Sequence, residues 1–83
     1  MHYTVIWTQI ALNQLADIWT QAQDRQAVND AVDHIDAALR IDPDQEGEAR
    51  NGTRILFAWP LVVLFRVLPD DRQVHVLQVR SVV

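Results

Sequence analysis

The hydrophobic positions of this chain change period twice. Tyr3-Thr4-Val5-Ile6-Trp7 alternates, and residues 8–22 and 24–41 then repeat every three to four positions. From Thr53 onward, β-branched and aromatic runs are separated by turn residues. Alternation marks a strand and the three-to-four spacing marks a helix. The pattern therefore predicts the order β-α-α-β-β-β.

The first strand is His2 to Trp7. Tyr3, Val5 and Trp7 share one face and Thr4 and Ile6 the other. Both faces are largely apolar, which predicts a strand that is central or covered. Thr8 is a suitable N-cap for the first helix. Ala11, Leu12, Leu15, Ile18, Trp19 and Ala22 form its apolar stripe. Trp7 and Trp19 lie on core stripes and are expected to be packed, whereas Trp59, beside Pro60, is expected to be exposed. Asp24 caps the second helix, whose stripe is Ala27, Val28, Ala31, Ile35, Ala38 and Leu39. Asp36 and Arg40 stand i,i+4 in the favourable order. Asp42-Pro43 ends the helix, because the residue before proline resists αR. So short a link between the helices makes an αα-hairpin.

Residues 44–52 read as a loop, with Asn51-Gly52 a strong turn signal. Strands are expected at Thr53–Ala58, Leu61–Leu68 and Gln73–Arg80. Pro60 separates the first two and Pro69-Asp70-Asp71-Arg72 turns between the last two. If that turn is a four-residue loop, Leu68 opposes Gln73, Arg66 opposes His75 and Leu64 opposes Leu77. Val62, Leu64, Arg66, His75, Leu77 and Val79 then share one face. Val63, Phe65, Val67, Val74 and Val76 share the other and should pack on the helices.

Composition narrows the classes. Eighty-three residues predict one domain, residues 1–83, and 49% hydrophobic content suffices for one core. With no cysteine, neither a disulfide framework nor a thiolate metal site is possible. His2 and His34 have no companion at metal-ligand spacing, and the Asp30, Asp33, Asp36 series reads as a solvated helix face, so no metal or other cofactor is expected. The longest apolar run, Ile55 to Phe65, contains a proline and is too short to span a bilayer, so no membrane partner is expected. The N-terminus lacks the pattern of a signal peptide, and the simplest location is the cytoplasm. Net charge is −4 and all seven basic residues are arginine, which disfavours a broad nucleic-acid surface. Seven of the eleven acids fall between Asp24 and Glu46, whereas Arg50 to Arg80 holds five arginines and two acids, Asp70 and Asp71. A neutral-to-basic sheet is thus expected to face a partner while an acidic helix faces water.

The chain resembles the RelE/ParE superfamily of bacterial toxins from type II toxin–antitoxin systems. The resemblance rests on Tyr3-Thr4-Val5-Ile6-Trp7-Thr8 followed by an Ala/Leu-rich helix. It continues through Leu39-Arg40-Ile41-Asp42-Pro43, Gly47-Glu48-Ala49-Arg50 and Arg54-Ile55-Leu56-Phe57. It ends with Leu61-Val62-Val63-Leu64-Phe65-Arg66-Val67 and Val74-His75-Val76-Leu77-Gln78-Val79. It implies an α+β, RelE/ParE-like fold: a helical hairpin packed on a mainly antiparallel four-stranded sheet, with strand one beside the last strand.

It further implies a toxin neutralised by a cognate antitoxin and acting either on mRNA at the ribosome or on DNA gyrase. For a ribosome-dependent endoribonuclease the catalytic candidates are Arg54, Arg66, His75 and Arg80, which must then converge on one face. Their cationic groups would stabilise the developing phosphorane charge. The ribonuclease members open the third strand with an aromatic residue and an arginine. Here those positions are Leu61-Val62 and the chain has no lysine, so the leading reading is action by binding. Arg50, Trp59, Val62, Leu64 and Leu77 are the partner-binding candidates. Arg50 and Arg54 are equally suited to pairing with Glu46 or Glu48. A third reading is a toxin-derived inactive module or homodimer, joined through an apolar patch of Val62, Leu64, Leu77 and Val79.

Overall fold

The computed structural model describes residues 2–83. Two helices lie on one face of a five-stranded sheet. The elements are β1 (Thr4–Trp7), α1 (Gln9–Gln21), α2 (Arg25–Ile41), β2 (Glu48–Arg50), β3 (Thr53–Ala58), β4 (Leu61–Leu68) and β5 (Gln73–Ser81). Strand order is β1-β5-β4-β3-β2. β1 runs parallel to β5 and every other neighbouring pair is antiparallel.

The α+β architecture expected from the chain is present, with one strand more than the pattern predicted. That strand, β2, lies inside the segment read as a loop. Glu-Ala-Arg has little intrinsic strand preference. It is held by a two-residue turn whose central residues, Asn51 (φ 49) and Gly52 (φ 85), are both left-handed. This is the primed turn that Asn-Gly favours, and its twist matches that of paired strands. Arg50 therefore meets Thr53, Ala49 meets Arg54 and Glu48 meets Ile55.

β1 is an edge strand, not the central or covered one its two apolar faces suggested. Val5 and Trp7 turn half-buried toward the helices, but Thr4 and Ile6 are exposed on the far side. Thr8 joins β1 to α1. Its N–H and hydroxyl both donate to Val76 O, at 3.1 and 2.9 Å, while its Oγ1 caps α1 by accepting from Ala11 N–H. Asp24 caps α2 by accepting from Ala27 N–H at 3.0 Å. The Asp36–Arg40 ion pair forms at 2.8 Å; such exposed pairs contribute a few tenths of a kcal/mol.

The core lies between the sheet and the helices. Ala11 of α1 and Val28, Ala31, Ile35 and Leu39 of α2 meet Leu56, Leu61, Val63, Phe65, Val74, Val76 and Val79 of the sheet. The α1 stripe is only partly used. Leu12 and Trp19 remain 45% and 42% exposed, so the expectation of a packed Trp19 fails. α1 packs on β5 whereas α2 packs toward β1 and β3, and a groove stays open between the helices. Trp19 is held at that groove by donating its indole N–H to Asn29 Oδ1 at 3.2 Å and by the Arg25 guanidinium 4.7 Å from its ring centre.

The β4–β5 hairpin follows the expected register for its first half. Leu68 pairs with Gln73, Arg66 with His75 and Phe65 with Val76. A bulge then intervenes, so that Leu64 pairs with Gln78, Val63 with Val79 and Val62 with Arg80. One extra residue on β5 inverts the side-chain alternation beyond it. Val79, expected on the outer face with Val62 and Leu64, is 2% exposed in the core. Leu64 meets Gln78 instead of the expected Leu77.

Candidate functional site: the open face of the sheet

The helices cover one face of the sheet and leave the other open. Strand alternation fixes which side chains stand there. Ile55 and Phe57 of β3 pair with Leu64 and Val62 of β4, and these four form an apolar strip across the middle. Phe57 is 62% exposed. Ile6 extends the apolar surface at the β1 edge, paired with His75.

Basic groups flank the strip. Arg66 and His75 stand opposite one another at one end, and Arg80 stands opposite Val62 at the other. Four strand residues separate the two rows, about 13 Å at 3.3 Å per residue. Arg50 shares this face from β2, beside Glu48 two residues away. Arg50, Arg66 and Arg80 are exposed. Among the described residues the one ion pair is Arg40–Asp36, and none of these three arginines has a carboxylate partner there. His75 is half-buried, with Nε2 3.1 Å from Gln73 Oε1.

The bulge is what assembles this set. Without it, strict alternation along β5 would turn Arg80 toward the helices. With it, Val79 enters the core and Arg80 joins Arg66 and His75. The inversion falls where β1 stops: β1 ends at Trp7, paired with Val76, and β5 continues past that point paired with β4 alone. There the N–H of Val79 donates to Gln14 Oε1 of α1 at 2.8 Å.

Arg54 does not belong to this face. It pairs with Phe65, a core residue, and so lies on the helix side. Its Nε donates to Glu46 O at 2.8 Å and its Nη2 to Gly47 O at 3.1 Å. It pairs with neither Glu46 nor Glu48 as an ion. The four catalytic candidates therefore do not converge: Arg66 and His75 stand opposite one another, Arg80 shares their face four strand residues away, and the sheet separates all three from Arg54. The loop that Arg54 holds needs glycine at 47, where φ is +66 and a Cβ would collide with Ile55 O.

Of the partner-binding candidates, Arg50, Val62 and Leu64 stand on the open face, the latter two half-buried. Leu77 sits half-buried at the bulge. Trp59, 61% exposed, projects from the β3–β4 turn. Sequence reasoning missed Ile55 and Phe57, although alternation from the buried Leu56 points to both. The patch proposed for a homodimer loses Val79 to the core. Among the described residues no group of three or more His, Asp and Glu lies close enough to hold a metal ion. Among the described residues no helix is long and apolar enough to cross a membrane.

These features define a small α+β domain with one helix-covered sheet face and one open face carrying apolar and cationic groups. The fold is that of RelE/ParE toxins. A chain of the RelBE2 toxin–antitoxin complex from Mycobacterium tuberculosis superimposes with a TM-score of 0.80 at 21% identity, over 98% of this chain and 92% of that one. A chain of the chromosomal ParDE system of P. aeruginosa does so with a TM-score of 0.75 at 22% identity, over 99% and 98%. TrmO from Pseudomonas aeruginosa contains the same fold in about a third of its length, with a TM-score of 0.63 at 22% identity over 96% of this chain and 36% of that one. The chain matches no family model and no curated protein.

Proposed function

We propose that this chain is the toxin component of a type II toxin–antitoxin pair, acting in the cytoplasm of a bacterium by binding a cellular target through the open sheet face and held inactive by a cognate antitoxin. One observation carries the reading. On a RelE/ParE fold, Arg50, Arg66 and Arg80 stand without carboxylate partners around an exposed apolar strip. Desolvating three unpaired guanidinium groups is costly unless a partner supplies anions. Leaving Phe57 in water forgoes the gain of burial. A partner with carboxylates or phosphates and apolar side chains offsets both. Gyrase and the ribosome are the target classes that the resemblance brings.

A second reading is favoured by the pairing of Arg66 with His75 on the sheet face that Arg80 shares. A histidine suited to proton transfer lies opposite a guanidinium that can stabilise a phosphorane. This is the ribosome-dependent endoribonuclease, run by three residues without Arg54.

Controlled expression in a bacterial host, with growth recorded and mRNA 5′ ends mapped, separates these readings. Arrest with intact mRNA supports action by binding. Arrest with in-frame cuts that vanish in Arg66→Ala supports the nuclease. Normal growth at full expression of folded protein overturns both.

A further inference from the structure

A second concave feature lies on the helix side of the sheet, at the end where β3 turns into β4. It is a cleft of about 550 Å³. Ile18 of α1, Ala22 just after that helix and Ala27 of α2 form its floor, and Trp59 and Pro60 form one wall. Pro60 is buried and holds the turn against the body of the domain, whereas the Trp59 ring is 61% exposed. Gln21, Gln23 and Ser81 also line the cleft, and an exposed indole at the mouth of a cleft with an apolar floor is an unfilled contact surface.

The charge around the cleft has one sign. Asp17 and Asp24 line it and no basic residue does. Asp17 has neither an ion pair nor a hydrogen bond among the described residues. The Asp24 carboxylate accepts only the neutral Ala27 N–H. The nearest arginine in sequence, Arg25, is engaged elsewhere. It donates to Trp19 O and Thr20 O, each at 3.0 Å, and stacks over the Trp19 ring. Arg80, just before the lining residue Ser81, stands on the opposite face of the sheet. The carboxylates thus face the cleft without a counter-charge from the chain.

We propose that this cleft is a docking site for a segment of a partner polypeptide that carries an arginine or lysine flanked by aliphatic residues. The aliphatic flanks fill the Ile18–Ala22–Ala27 floor. The cationic head lies over the Trp59 ring, where the indole quadrupole attracts it, within reach of Asp17 and Asp24. A free amine lacks the apolar body that the floor requires. The cleft is separate from the open sheet face, so it stands or falls independently of the toxin reading.

The test is a titration of the ¹⁵N-labelled protein with the blocked pentapeptide Ala-Leu-Arg-Ile-Ala, following the indole N–H signals of the three tryptophans. The expected result is a saturable shift of the Trp59 indole with little change at Trp7. Replacing the peptide's arginine by citrulline, which keeps the shape and removes the charge, should weaken binding about fivefold, as should Asp17→Asn. Trp59→Ala should weaken it about tenfold or more. Both substituted positions are exposed, and unchanged dispersion of the remaining signals reports that the variants are folded. No saturable shift at millimolar peptide overturns the proposal. Equal binding of the citrulline peptide, or affinity that survives Trp59→Ala in folded protein, overturns it as well.

Discussion

The backbone N–H of Val79 donates to Gln14 Oε1 at 2.8 Å, across 65 positions of the sequence. This bond lies where β5 has outrun β1 and where the bulge has just inverted its faces. It gives a buried donor the acceptor that a neighbouring strand would otherwise supply. Leaving such a donor unpaired costs about 1–3 kcal/mol. Gln14→Ala should therefore lower stability by about 1–2 kcal/mol, whereas Gln14→Glu, which keeps an acceptor, should lower it less. Urea unfolding of the three proteins checks the order. For a chain of this size the total stability is about 4–12 kcal/mol, so the loss is easily measured.

The bulge itself can be removed. Deleting Leu77 takes out the extra residue and joins Val76 directly to Gln78, so unbroken alternation keeps Val79 in the core and Arg80 opposite Val62. The expected outcome is cooperative unfolding close to the parent's, read by calorimetry. Loss of cooperative unfolding in the deletion variant would mean that β5 needs the bulge for more than its register.

Gly47 and Gly52 should respond differently to alanine. Both have positive φ, but a Cβ at Gly47 would collide with Ile55 O, whereas one at Gly52 meets nothing within 4 Å. Gly52→Ala should cost about 1 kcal/mol for the left-handed backbone alone. Gly47→Ala must also displace β3, and should cost about 3 kcal/mol or more. Thermal midpoints of the two variants give the comparison.

Arg54 and Arg66 are both arginines on the sheet with different work. Arg54 holds the carbonyls of Glu46 and Gly47, so Arg54→Ala should destabilise by about 1–2 kcal/mol. Arg66 is exposed and has no ion-pair partner among the described residues. Arg66→Ala should leave stability within about 0.5 kcal/mol and should weaken the growth effect. Measuring unfolding and growth arrest on the same two variants separates the roles.

Much of this fold is legible in the local chemistry of the chain. Thr8 and Asp24 are caps because hydroxyl and carboxylate oxygens meet the free N–H groups of a first helical turn. Asn51-Gly52 is a turn because both residues tolerate positive φ. The pairing of Arg66 with His75 follows from a four-residue loop and simple counting. All of these are set within a few residues of chain. Three decisive features are not so set. β2 has no strand propensity and exists because the turn after it lays it against β3. Trp19 lies on an apolar stripe but stays exposed, because two helices docked on different strands leave a groove between them. Arg80 shares a face with Arg66 only because an extra residue at Leu77 is accommodated where β1 stops and Gln14 takes over. Hydrophobic period gives each strand its alternation. Which side of the sheet each half of β5 presents, and hence which arginines meet, is decided by partners 65 residues away in the chain, so it arises only when helix and sheet come together.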